Sequence, residues 1–135
     1  AKSKGYVFKY KGVSVTMNGA AKKLIKKAGK PSKKTVKKSC AYKGKDRTYT
    51  YKDFQLKTYS KTNNGAEYVS EIRFRSNKAV TKEGIRIGSS LKDVTKKYGK
   101  AKARFGVYTF KKGSSKLQIM LNGNKVSAIR YFASK

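Results

Sequence analysis

The sequence predicts an α+β fold in which one unit, a helix followed by a three-stranded antiparallel sheet, is repeated in tandem. Three observations predict it: five short motifs occur twice in one order, a glycine follows each helical segment, and turn signals separate short alternating runs. Five matches in one order are most simply explained by a duplicated unit. The paired motifs are GVSV (12–15) with GIRI (84–87), AGK (28–30) with YGK (98–100), YTY (49–51) with YTF (108–110), FQL (54–56) with LQI (117–119), and VSEIRF (69–74) with VSAIRY (126–131).

The first repeat, residues 1–78, is predicted to begin with one or two extra strands. Strong β-formers alternate over 5–16, with a turn signal inside the run. Asn18 resembles a helix N-cap, and apolar residues recur at helical spacing over 20–28 before Gly29 ends the pattern. We therefore expect a first helix over this segment.

The segment after this helix, Lys30–Lys38, is the most charged of the chain, and it is predicted to be a solvated loop. It leads into a strand around Cys40. The Asn64–Gly65 pair favours a hairpin connection because both residues tolerate positive φ. The later strands of this repeat are predicted at 48–51, 54–59 and 68–74.

The second repeat, residues 79–135, follows the same order. Ser90 and Asp93 have the spacing of a helix cap, and the helix that follows them should end before Gly99. Three strands are then predicted at 104–111, 116–121 and 125–132. The two repeats should form one compact domain, with both helices on one face of a shared curved sheet.

Alternation along the strands assigns side chains to the two faces of this sheet. The apolar set should face the helices: Phe54, Leu56, Ile72, Phe74, Leu117, Ile119, Leu121, Ile129 and Tyr131. We call the other side the open face. Its predicted binding residues are Gln55, Lys57, Tyr59, Arg73, Arg75, Gln118, Met120 and Arg130, with Glu71 and Phe132 beside them. Mixed aromatic, amide and basic side chains are typical of recognition surfaces. An ordinary solvated sheet face alternates in the same way, so that alternative stays open.

The charge is extreme, with 36 Lys and Arg against 6 Asp and Glu, a formal net charge of +30. Such a field attracts polyanions, so the candidate partners are a protein, an anionic wall polymer or nucleic acid. Specific nucleic-acid sites rely on Arg, and only 6 of the 36 basic residues are Arg. The alternative is that the lysines serve solubility and have no specific ligand.

Residue types needed for catalysis are scarce. The chain has no His and one Cys, which excludes Ser-His-Asp and Cys-His arrangements and the usual zinc sites. Glu67 and Glu71 lie four residues apart on one predicted strand and cannot form a close pair. Cys40 is either a small core residue or, beside Lys37 and Lys38, a reactive or dimer-forming thiol. We predict no enzyme activity, catalytic residue, cofactor or metal.

Two segments carry a resemblance to known proteins. The segment 84–99, GIRIGSSLKDVTKKYG, resembles the strand and helix that open each repeat in the β-lactamase inhibitory protein-like superfamily. The segments SCAYKGKD (39–46) and RTYTY (47–51) are similar to uncharacterised small surface lipoproteins of clostridia-type Gram-positive bacteria. The likeness extends from about Tyr6 to the C-terminus, although this chain is richer in Lys than that group.

The resemblance implies two helix-plus-sheet repeats whose concave sheet face can bind another protein. It also implies export and attachment at the cell surface, with the lipid-bearing leader removed. It does not imply inhibition of a β-lactamase, because fold alone does not assign function. No run of about 18 apolar residues occurs, so no transmembrane segment is predicted.

These observations predict a non-enzymatic, exported or cell-surface binding module that recognises a protein or an anionic wall polymer through its open face. The alternative is a nucleic-acid-binding protein driven by charge, whose affinity would fall steeply with salt.

Overall fold

The computed structural model describes residues 6–38, 43–99, 103–104, 106–113 and 115–133. Within these ranges the chain forms strands and two short helices. In chain order they are β1 (Val7–Tyr10), β2 (Val13–Thr16), α1 (Lys22–Ala28), β3 (Lys33–Lys38), β4 (Lys45–Thr50), β5 (Phe54–Ser60), β6 (Glu67–Phe74), α2 (Leu91–Tyr98), β7 (Ala103–Arg104), β8 (Val107–Lys112), β9 (Ser115–Asn122) and β10 (Lys125–Ala133).

One large antiparallel sheet dominates the fold. Its strand order is β3-β4-β5-β6-β10-β9-β8-β7, and the last strand has only two residues. Strands β1 and β2 form a separate two-stranded sheet. The centre of the large sheet is the β6–β10 pair, so strands from the two halves of the chain meet there.

The predicted fold class is wrong. The described part of the chain is mostly β, with 52% strand and 13% helix, and is not a tandem α+β repeat of a helix and three strands. The two helices have only seven and eight residues, and four strands follow each of them. One of the extra strands is β3, which lies inside the segment Lys30–Lys38 that we predicted to be a loop.

Strand β3 shows why the charge run was misleading. All six of its residues are exposed, and it pairs along its whole length with β4 at the edge of the sheet. Lysine side chains at an edge keep their charges in water while the backbone pairs on one side, and they discourage pairing with another chain. A run of lysines therefore excludes a buried strand but permits an edge strand.

The helix starts were predicted with unequal success. Helix α2 has Ser90 as its N-cap, whose Oγ accepts a hydrogen bond from the Asp93 backbone N–H at 3.1 Å, as predicted. Helix α1 begins after Ala21 without a side-chain cap, so the prediction of Asn18 as its N-cap is wrong. Asn18 has a left-handed φ of 66° and donates its backbone N–H to the carbonyl of Val69 at 2.7 Å.

The core lies on one face of the large sheet, beneath both helices and the small sheet. Leu24 of α1 and Val94 of α2 are almost fully buried there, as are the apolar residues of the large sheet that face them: Phe54, Leu56, Val69, Ile72, Phe74, Leu117, Ile119, Val126, Ile129 and Tyr131. Phe8 of β1 is 0% exposed, and its ring centroid lies 5.3 Å from that of Phe54 and 5.4 Å from that of Phe74. The other face of the sheet is thus left for solvent.

Along one of its two edges, each of the strands β6 and β10 has two successive hydrogen-bonding partners. At its start β6 bonds to the corner before α1, where Val69 N–H donates to the carbonyl of Gly19 at 2.9 Å. The start of β10 likewise bonds to the corner before α2, where Val126 N–H donates to the carbonyl of Ser89 at 2.8 Å. Further along, both strands leave these corners and pair with each other over three residue pairs. This pairing positions the candidate site.

Candidate binding face

Four of the predicted binding residues form one row across the middle of the sheet. In the strand register Gln55 is opposite Arg73, Arg73 is opposite Arg130, and Arg130 is opposite Gln118. Side chains at paired positions point to the same side of a sheet, so the row lies on the open face. Two arginines from distant parts of the sequence therefore stand side by side, each flanked by a glutamine.

One carboxylate lies among three cations beside this row. Glu71 Oε2 is 3.0 Å from Nε of Arg130 and 3.5 Å from Nη2 of Arg73, and Glu71 Oε1 is 3.9 Å from Nζ of Lys57. The Glu71 side chain is only 11% exposed, whereas those of Arg73 and Lys57 are 52% and 41% exposed. The four side chains carry three positive charges and one negative charge, so the cluster keeps a surplus of positive charge.

Arg130 is held in place by several partners. Its Nη1 donates to Oε1 of Gln118 at 3.1 Å, and its Nη2 donates to Oε1 of Glu71 at 3.3 Å. Its guanidinium carbon lies 4.5 Å from the ring centroid of Phe132, close enough for a cation–π contact. Arg130 is thus a fixed positive charge, and the more exposed Arg73 is the better placed of the two to meet a ligand.

A small pocket opens on the β10 side of the two arginines. Its volume is about 140 Å³, and its lining residues are Arg73, Gln118, Met120, Ala128, Ile129 and Arg130. Met120 is 40% exposed, which is unusual for a large apolar side chain among the described residues. Cationic groups and bare apolar surface therefore meet within one concavity, an arrangement suited to an acidic group on an aliphatic stem.

The remaining predicted residues lie elsewhere. The Tyr59 hydroxyl is hydrogen-bonded to Oδ1 of Asn18 at 2.9 Å, so Tyr59 lies near the corner that precedes α1. Arg75 donates from Nη1 to the carbonyl of Tyr51, and its backbone N–H donates to the carbonyl of Asp53. The structure therefore gives Arg75 a role in holding the β4–β5 turn and does not bring it into the arginine row.

Sequence reasoning missed Ala128. Its small side chain leaves the space that becomes the pocket, and an isolated alanine gives no signal of its own. The signal was present in the paired motifs, since VSEIRF and VSAIRY differ at their third position, where one has Glu71 and the other Ala128.

Most of the carboxylates have structural hydrogen bonds. Glu67 Oε1 accepts from the hydroxyls of Tyr49 at 2.8 Å and Thr58 at 2.6 Å, and Glu83 Oε1 accepts from the hydroxyl of Tyr98 at 2.7 Å. The pKa of the Tyr98 hydroxyl is raised far above its ordinary value. Burial is the largest cause, and the nearby charge of Tyr131 and the hydrogen bond to Glu83 add to it. Within the part of the chain that the structure describes, no three His, Cys, Asp or Glu side chains lie close enough to hold a metal.

A second concavity of about 540 Å³ lies at the β3–β4 edge, and its lining residues are Val36, Lys37, Lys38, Lys43, Gly44, Lys45 and Asn63.

Cys40, for which we predicted either a core position or a reactive thiol, lies outside the described residues. Among the described segments, neither helix has the length and apolar character needed to cross a membrane.

Comparisons with protein-family models, with curated proteins and with solved structures find no match to this chain.

Proposed function

We propose that this protein is a non-enzymatic binding module that recognises an acidic surface of a partner protein through its open face. The observation that carries the proposal is the surplus of positive charge beside the arginine row, where Lys57, Arg73 and Arg130 share the single carboxylate of Glu71. Because Glu71 already holds these cations beside one another, an incoming anion would have less side-chain ordering to pay for.

The mixture of groups favours a protein over an anionic wall polymer. Apolar surface from Met120 and the Phe132 ring adjoins the cations, and Gln55 and Gln118 supply amide groups at both ends of the row. Interfaces between proteins combine apolar contact with hydrogen bonds in this way. A polymer of repeated phosphates would gain little from the apolar part.

The second candidate function is charge-driven binding of nucleic acid. It is favoured by the net charge of +30 and by the fully exposed β3, four of whose six residues are Lys. Binding of this kind depends on counterion release, so its affinity should fall steeply as salt is raised.

We also propose export or attachment at the cell surface, which is supported by the resemblance alone. Fractionation of cells that express the full precursor tests it, and recovery of the protein from the interior of the cell would contradict it.

The binding proposal is tested with three polyanions: poly-L-glutamate for acidic protein surfaces, teichoic acid for wall polymers, and single-stranded DNA. Affinities are measured at about 50, 150 and 500 mM salt, which spans Debye lengths from roughly 14 to 4 Å. The variants are Arg73→Gln on the open face and its matched control Arg86→Gln, which removes the same charge from another exposed arginine.

We expect poly-L-glutamate to bind best at the higher salt concentrations, with Arg73→Gln weakening it much more than Arg86→Gln does. If DNA binds more tightly and the two variants are indistinguishable, binding follows total charge, and the second candidate replaces the first.

A further inference from the structure

Two positions on the open face have the same relation to the arginine pair. Glu71 lies two residues before Arg73 on β6, and Ala128 lies two residues before Arg130 on β10. Because Arg73 and Arg130 are directly opposite, each position has one arginine on its own strand and the other diagonally across. Both positions therefore neighbour both arginines on the open face, and both arginines line the pocket over Ala128.

The backbone around the two positions is also alike. A register shift occurs beside each of them, between Lys57 and Thr58 on one side and between Val126 and Ala128 on the other. The residue before Glu71 is Ser70, whose Oγ donates to the carbonyl of Lys57 at 3.1 Å.

On the other side, the residue before Ala128 is Ser127, whose Oγ donates to the carbonyl of Met120 at 3.2 Å. Glu71 is opposite Lys57, and Ala128 is opposite Met120. The two settings thus differ in side chains, with a carboxylate beside Lys on one side and a methyl group beside Met on the other.

We propose that the pocket over Ala128 is a subsite for the carboxylate of an acidic side chain, Glu or Asp, from a partner protein. This deepens the proposed function and rests on it. The incoming carboxylate would pair with the half-exposed Arg73, as Glu71 does on the other side, while Arg130 stays bound to Glu71 and Gln118. The aliphatic stem of the incoming side chain would pack against Met120.

Charge and size both fit this occupant. Three cations share one resident carboxylate, and Arg73 keeps a half-exposed side chain. A second carboxylate would reduce this surplus of positive charge. Its own negative charge would be paired with a cation and would not be left alone in the pocket. The pocket of about 140 Å³ exceeds the roughly 30 Å³ that a water molecule occupies in the liquid, so a carboxylate and part of its stem have room.

The apolar lining favours a carboxylate on an aliphatic stem over a phosphate. Ala128 and the 40% exposed Met120 contribute apolar side chains to the wall, and a methylene stem would cover them. A phosphate would bring its charge to the arginines but leave the apolar surface wet.

The first test of the subsite introduces a carboxylate into the pocket by substitution of Ala128. Ala128→Glu should place its carboxylate in the pocket, and Ala128→Gln has nearly the same shape without the charge. The control Ser14→Glu makes the same charge change at an exposed residue of the small sheet, on the opposite side of the large sheet.

At low salt we expect Ala128→Glu to melt about 2–4 °C above Ala128→Gln, the size of shift given by one favourable ion pair. A melting temperature at or below that of Ala128→Gln would show that the pocket does not accept a carboxylate and would overturn the subsite.

Binding of poly-L-glutamate by the same variants is the second measurement. We expect Ala128→Glu to weaken binding about tenfold because it occupies the subsite and repels the ligand, while Ser14→Glu weakens it less than about threefold. Equal losses in the two variants would overturn the subsite even if Ala128→Glu is stabilised.

The same data separate the two proposals. If Ala128→Glu binds like Ser14→Glu while Arg73→Gln still weakens binding strongly, the open face binds acidic groups but not through this pocket. If Arg73→Gln has no effect either, the proposed function itself fails. Tighter binding of inorganic polyphosphate than of poly-L-glutamate, lost in Ala128→Glu, would assign the pocket to phosphate and overturn the proposed occupant.

Discussion

Replacement of the buried Glu71 by Gln should destabilise the protein more than the same neutralisation of an exposed acid such as Asp93. Glu71 is the shared counter-ion of Lys57, Arg73 and Arg130, at distances of 3.9, 3.5 and 3.0 Å. Gln keeps the shape and removes the charge, so three cations remain close together without a neutralising partner.

The magnitude follows from exposure. The Arg130 side chain is 33% exposed, so the loss of its partner falls between the few tenths of a kcal/mol typical of surface pairs and the roughly 3–5 kcal/mol typical of buried pairs. The more exposed Lys57 and Arg73 should each add a few tenths of a kcal/mol. We expect a loss of about 2 kcal/mol in the free energy of unfolding at low salt.

The assay is urea unfolding of the wild type, Glu71→Gln and the control Asp93→Asn at about 0.05 M and 1 M salt, where the Debye length falls from roughly 14 to 3 Å. Asp93 is an exposed residue in the first turn of α2, so its variant makes the same change in total charge. The loss in Glu71→Gln should shrink at high salt. Equal losses in the two variants would contradict a special role of Glu71 as shared counter-ion, because total charge would then explain the effect.

Three further predictions concern the core. Phe8→Ala should cost about 3–5 kcal/mol in urea unfolding, since the ring is fully buried against β5 and β6; a loss below about 1 kcal/mol would contradict this packing. Ser115→Ala should cost about 1–3 kcal/mol because the buried Ser115 Oγ accepts the Tyr6 backbone N–H at 2.7 Å; an unchanged midpoint would contradict it. Stability should hold up to about pH 10 and then fall by as much as about 1.4 kcal/mol per pH unit for each buried tyrosine. Burial raises the folded pKa of Tyr51 to about 12 and that of Tyr98 further, so the neutral form is favoured only in the folded state. Urea midpoints from pH 9 to about 12 in high salt, which masks the loss of lysine charge, check this; a flat profile would contradict it.

Local pattern was a good guide to the centre of the sheet. The run Phe54–Ser60 alternates strictly between buried and half-buried residues, as its sequence predicts, because a strand with one covered face must alternate. The motifs VSEIRF and VSAIRY each put an arginine on a strand, and the structure pairs Arg73 and Arg130 directly.

The errors have physical causes. Propensity and charge counted against a strand at Lys33–Lys38, but an edge strand needs only backbone pairing on one side and water for its lysines. Adding that strand, with helices of only seven and eight residues, changes the fold from α+β to mostly β.

The site was predicted only in part. The alternation along a strand assigns each side chain to a face of the sheet, but it does not give the direction in which the end of that side chain points. Alternation placed Arg75 on the open face, yet its guanidinium turns to the carbonyl of Tyr51. The pocket over Ala128 depends on a difference between two similar motifs, and that difference has meaning only once the register brings both motifs to one arginine pair.

The most direct test of the central claim is an NMR titration with poly-L-glutamate at about 150 mM salt, where the Debye length is close to 8 Å. The side-chain Nε–Hε signals of the arginines are followed. We expect the signals of Arg73 and Arg130 to shift together and saturate, while that of Arg86 stays in place. Equal, unsaturated shifts of all three would show binding by overall charge and would contradict a site on the open face.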